Sequence, residues 1–260
     1  MVLERIISLK TAVRNPLAMF VVGGLVSVSC LVISFLVFNE SVGMFTTFLI
    51  TIAMTPFMVN LLRWEEAETE QEIARRKEKF LSRHKDVLMI YTAFFVGMIL
   101  SLSIVFIILP DAVVEQIFKD QITEIEIIRG DFLSLDMFQR IVLNNISVLL
   151  ISFLFSFVFG AGAIFILSWN ASVLAAAIGL AAKAIGGMHG LPFAALIFFP
   201  HGSLEILAYF IGAIAGGLVS AAVTRSRSKY FWHVVRNSLM LVAIAVVLLV
   251  VAGFVETLQL

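Results

Sequence analysis

His201 and Glu205 are the two side chains in this 260-residue sequence best placed to do chemistry together. They stand four residues apart, so on a helix they share one face, an imidazole beside a carboxyl group. The stretch after them is apolar, and a charged residue within such a stretch costs roughly 2.5–3.5 kcal/mol on membrane-insertion scales. Three chemistries fit that pairing: a polar clamp between helices, a proton- or ion-responsive site, or a metal or catalytic centre. The last is the poorest match. His-x-x-x-Glu supplies two ligands, whereas zinc takes three or four from protein. His201, Glu205 and His189 are the weak candidates for such a set. No His-Glu-x-x-His, nucleophile elbow or Walker loop occurs, so no catalytic residue is nominated and no cofactor is called for.

Other polar residues fall in apolar surroundings. Lys183 shares a helical face with Ala175 and Gly179, and Glu205 is its expected partner. Asn145 and Asn170 can bridge helices, each bond worth about 0.6–2 kcal/mol in a membrane. The polar cluster is therefore read as Lys183, His201, Glu205, Asn170 and Asn145. Beyond Tyr209, Gly212-Ala-Ile-Ala-Gly216 is a GxxxG pattern that lets helices approach closely. Pro200 and Gly202 mark an expected helix break beside it. His84 and His233 fall among basic residues and read as ordinary interfacial histidines.

The elements that must position these residues follow from composition. Hydrophobic residues make up 61% of the chain and charged ones 14%, and mean hydropathy is +1.06. No core that 260 residues can enclose would hide so much apolar surface. A soluble domain, a disordered tail and a disulfide scaffold are excluded, the last because Cys30 is the single cysteine. The expected fold is all-α, a polytopic transmembrane bundle of six to seven spans. These fall near 16–38, 43–62, 87–109, 141–167, 171–187 (short, and interrupted by Lys183), 201–224 and 237–255. Residues 191–200 are too short to cross. They either lie flat or form a re-entrant segment near 189–200.

Fourteen Lys and Arg residues fall in the segments on the N-terminal side of the membrane and three on the other, which places the N-terminus in the cytoplasm. Residues 1–260 read as one membrane domain. A charged cytoplasmic helix (63–86) and an acidic outer loop (110–140) stand outside the bilayer.

The string Pro200-His201-Gly202-Ser203-Leu204-Glu205, the small-residue helix with Gly212, Gly216 and Gly217, and the upstream Gly160-Ala-Gly162 and Trp169-Asn170-Ala171 together resemble the stage II sporulation protein M family. The family's usual Asn-Gly is Asn170-Ala171 here. The resemblance spans roughly Asn144–Thr224, and it extends to bacterial and archaeal members. It implies a membrane scaffold; the sporulation member positions peptidoglycan-degrading partners at a septum.

The leading expectation is thus a non-enzymatic plasma-membrane protein that organises partners. Those partners are the lipid bilayer, other membrane or cytoplasmic proteins, or a second copy in a homodimer, with no nucleic acid. A channel or permease moving an ion or small solute past Lys183, His201 and Glu205 is the alternative. An intramembrane metallo-hydrolase comes after it.

Overall fold

Apolar stretches in lipid must satisfy their own backbone hydrogen bonds, and in this chain they do so as helices. The computed structural model describes residues 9–74, 84–131, 137–159, 162–224 and 231–259, and among these there is no strand. The helices are α1 (Leu9–Arg14), α2 (Pro16–Val37), α3 (Val42–Ala74), α4 (Lys85–Ile108), α5 (Asp111–Ile117), α6 (Lys119–Asp131), α7 (Met137–Phe159), α8 (Ala163–Ile185), α9 (Leu191–Thr224) and α10 (Phe231–Gln259). Seven of them, α2, α3, α4, α7, α8, α9 and α10, are long and apolar enough to cross a membrane.

The boundaries of the first six spans differ most from the hydropathy reading in three places. The turn after the fourth span comes at Gly162, not near Asn170. An added Cβ on Gly162 would press on the Phe155 carbonyl oxygen at 2.6 Å. Only glycine lets the chain reverse so tightly there, a device that an apolar count reads straight through. In consequence α8 is a full 23-residue span rather than a short one. Residues 191–200 neither lie flat nor dip and return; they are the first turns of the 34-residue α9, which continues through Pro200. Finally, α3 carries its second-span helix on to Ala74 through Pro56. The rest of the charged 63–86 segment, 75–83, lies outside the described residues.

Helix α9 is the hub, with 67% of its most apolar stretch buried, and it packs against α10, α7, α8 and α3. A second crossing, of α2 with α4, is built on two glycines. An added Cβ at Gly23 would strike the Phe94 carbonyl oxygen, and one at Gly97 the Phe20 carbonyl oxygen. Ser27 and Ser101 hydrogen-bond across this contact at 2.9 Å, as small-residue membrane crossings allow. Tyr91, Phe95 and Phe210 fill the space between α4 and α9, with Phe210 5.5 Å from Tyr91 and 5.1 Å from Phe95, ring to ring.

Polar bonds pin the short helices to this core. Asp120 Oδ2 accepts the Met44 backbone N–H at 3.1 Å, placing a carboxylate at the N-terminus of α3, where the helix dipole favours it. Gln121 donates to Ser172 Oγ of α8 at 3.2 Å. Ile125 is buried against the bundle while Ile127 is exposed. His84 is not an ordinary interfacial histidine. Its Nδ1 lies 2.5 Å from Glu65 Oε1, with both side chains buried, and the pair ties the polar end of α3 to the start of α4. His233 is exposed at the start of α10.

Candidate functional site

Asn145 sits two turns into α7 and is 7% exposed. Its amide works in both directions. Nδ2 donates to Glu205 Oε1 at 2.5 Å, and Oδ1 accepts the Tyr209 hydroxyl at 2.7 Å. Tyr209 is 4% exposed, so its hydroxyl has been taken out of bulk water and needs that acceptor. On its other side Glu205 has the carboxyl group of Glu256, near the end of α10, as its neighbour. His201 is a neighbour of Glu256, and its ring lies edge-on to Phe198 at 6.1 Å. One polar cluster therefore joins α7, α9 and α10.

The same stripe of α9 carries the small residues. An added Cβ on Gly212 would meet Leu149, and one on Gly216 the Phe153 carbonyl oxygen. Asn145, Leu149 and Phe153 ascend α7 at four-residue steps as Tyr209, Gly212 and Gly216 ascend α9. The two helices thus run parallel, closely packed at the glycines and hydrogen-bonded at the Asn145 level. Small side chains bring the backbones near enough for a short Asn amide to reach across.

A cleft of about 430 Å³ opens onto this cluster. Ile125 and Ile128 of α6 form one wall; His201, Glu205, Tyr209, Asn144, Asn145, Asn170 and Glu256 supply its polar surface. Water or a small polar group entering it meets two carboxyl groups, an imidazole and amides within one recess.

A family model described as Stage II sporulation protein M matches residues 44–258, and so takes in Asn145, Glu205 and Glu256 alike. The chain belongs to the stage II sporulation protein M family. The match runs well beyond Asn144–Thr224, the part in which the resemblance is legible by eye. Comparison with curated proteins and with solved structures returns no significant match.

In this sporulation protein M family member the structure brings Asn145, His201, Glu205 and Asn170 to one cleft. Asn170, however, spends its Nδ2 on the Ile166 carbonyl of its own helix, at 2.8 Å. Lys183 is elsewhere, and the expected Lys183–Glu205 pairing is corrected. The small face of α8 does exist, but it packs on α4: Ser103 Oγ donates to the Ala175 carbonyl at 3.1 Å, and Gly179 abuts Phe106. That face carries Lys183 to the corner between α4 and α5. There Nζ donates to Asp111 Oδ1 at 2.6 Å and to the Leu109 carbonyl at 2.9 Å. Because α8 begins at Ala163, Lys183 lies in its last turn, where a cation suits the helix end and the long side chain reaches out of the apolar zone.

Pro200 does not break α9. Gly202 is not a close crossing, since an added Cβ would find Leu174 at an ordinary 3.8 Å. His189, in the 3₁₀ turn Gly187–His189, is exposed and is not part of the cleft wall. Among the described residues no group of three His, Cys, Asp or Glu side chains is arranged to hold a metal ion. Glu256 is the residue that sequence reasoning missed. Ending the last span at Val255 put it outside the bundle, whereas α10 runs to Gln259. As the only acidic residue of α10, it carried a signal that went unused.

Proposed function

We propose that this sporulation protein M family member is a non-enzymatic scaffold of the cell membrane, its bundle locked by a polar clamp of Asn145, Glu205, Tyr209 and Glu256. The observation that carries this reading is the double use of the Asn145 amide, which satisfies Glu205 and Tyr209 at once. Groups that saturate one another are built to hold position. The role the family implies, presenting an organised surface to other membrane or cytoplasmic proteins or to a second copy, needs such a rigid core. In this reading the N-terminus is cytoplasmic, as the charge asymmetry of the loops supports. The charged 63–86 segment is then a cytoplasmic docking element and 110–140 faces the other side.

One observation favours a second reading, a permease for protons or a small solute: the cleft reaches the Glu205–Glu256 pair. The metallo-hydrolase reading draws no support from the cleft: His189 stands apart from its wall, and among the described residues no group of three His, Cys, Asp or Glu side chains is arranged to hold a metal ion. Glu205→Gln separates the first two. Glutamine keeps an oxygen for Asn145 and an amide N–H for Glu256, so a clamp survives it, but glutamine does not titrate. In proteoliposomes containing a pH-sensitive dye, the scaffold reading expects no proton flux from wild type and unchanged folding of the variant. Flux present in wild type and lost in Glu205→Gln would overturn it in favour of transport.

A further inference from the structure

A second recess lies away from the clamp, at the opposite end of the bundle. It is a groove of about 770 Å³ between α2, α4, α9 and α10, walled by Phe20, Leu88, Val96, Ile211 and Leu248. Apart from the Thr92 hydroxyl, the wall is apolar except at its mouth. There Lys85 opens the groove beside Pro16 and Leu17, and Arg14, two residues before Pro16, is exposed in the last turn of α1. His84 also lines the mouth, but its Nδ1 is engaged by Glu65. Asp86, the acid adjoining Lys85, is not part of the groove wall.

The depth of the groove matches one leaflet. From Lys85 to Val96 along α4 is about 16 Å at 1.5 Å per residue, half of a ~30 Å hydrocarbon core. A recess one leaflet deep, apolar within and cationic at its rim, has the shape and polarity of an anionic lipid: acyl chain inside, phosphate at the mouth. Basic pockets between membrane helices hold such headgroups. We infer that the α2–α4–α9–α10 groove is a binding site for an anionic phospholipid, its chain lying against Leu88, Val96 and Ile211 and its phosphate on Lys85 and Arg14. By the orientation proposed above this is a lipid of the cytoplasmic leaflet, although the chemistry does not depend on the side.

A neighbouring groove supplies an internal control. About 550 Å³ in volume, it is lined by Phe95, Ile99, Leu174 and Phe198 among others, and among the described residues no charged one borders it. It offers chain contact without headgroup selection.

The test uses the full-length chain purified in detergent. Unfolding is followed by maleimide labelling of Cys30, the single cysteine, which is buried. Added phosphatidylglycerol is expected to raise the unfolding midpoint with the logarithm of its concentration, by about 3–5 °C for each tenfold excess over its dissociation constant; phosphatidylcholine is expected to raise it little. The double variant Lys85→Gln/Arg14→Gln should lose that preference while unfolding like wild type without lipid. Ala93→Phe, which fills the groove and leaves the charges in place, should remove co-purifying phosphatidylglycerol in native mass spectra. Equal shifts from the two lipids overturn the inference. So does a preference that survives the double variant, or an equal shift from glycerol phosphate alone.

Discussion

Replacing Asn145 with leucine tests the clamp at its centre. Leucine is of similar size, so little cavity is added, but it neither donates nor accepts. Two bonds vanish: the one donated to Glu205 and the one accepted from Tyr209. Interhelical bonds in membranes are worth about 0.6–2 kcal/mol each. The Tyr209 hydroxyl is also left buried without its acceptor, a desolvation cost of about 1–3 kcal/mol. Overlap between these terms brings the expected loss to about 2–4 kcal/mol, or about 5–15 °C in midpoint for a chain of this size. Tyr209→Phe removes one bond and leaves the Asn145 Oδ1 without its donor, but the bond to Glu205 stays, so it should cost about 1–2 kcal/mol, less than Asn145→Leu. Since the two side chains touch, the double variant should fall short of additivity by about 1 kcal/mol. Cys30 labelling on heating, with the four proteins in one detergent, reads all three numbers. The reasoning is refuted if Asn145→Leu unfolds no earlier than Tyr209→Phe, or if the two losses simply add.

Two further outcomes follow from the packing. Gly216→Ala should cost about 1–3 kcal/mol by the same assay, because its methyl group presses on the Phe153 carbonyl and backbone rather than side chain must yield; Gly202→Ala, whose methyl would make only an ordinary contact with Leu174, should be close to neutral. Lys183→Met should cost no more than about 1 kcal/mol, since its partner Asp111 is 86% exposed and solvent screens the pair. Combined with Asn145→Leu it should be additive, which a Lys183–Glu205 contact would not allow.

Much of this protein is written in its composition. Long apolar stretches have one low-energy solution in lipid, so the seven helices and the all-α fold follow from hydropathy and length. The polar exceptions stand out for the same reason: His201, Glu205 and Asn145 are conspicuous because burial penalises them, and the Pro-His-Gly-x-x-Glu string is local in sequence. Spacing along one helix also placed Glu205, Tyr209, Gly212 and Gly216 on a common stripe.

Which partner each stripe meets was decided only in three dimensions. The face of Ala175, Gly179 and Lys183 is equally compatible with α9 and α4, and the fit of Gly179 to Phe106 turns it towards α4. Glu256 comes to Glu205 from 51 residues away because α10 packs along α9, and no period within either helix encodes that pairing. The reciprocal crossing of Gly23 and Gly97 likewise depends on two glycines separated by the whole of α3 and part of α4. Helical periodicity fixes the face a residue occupies; close packing among several comparable apolar faces selects the neighbour, and that selection belongs to the bundle as a whole.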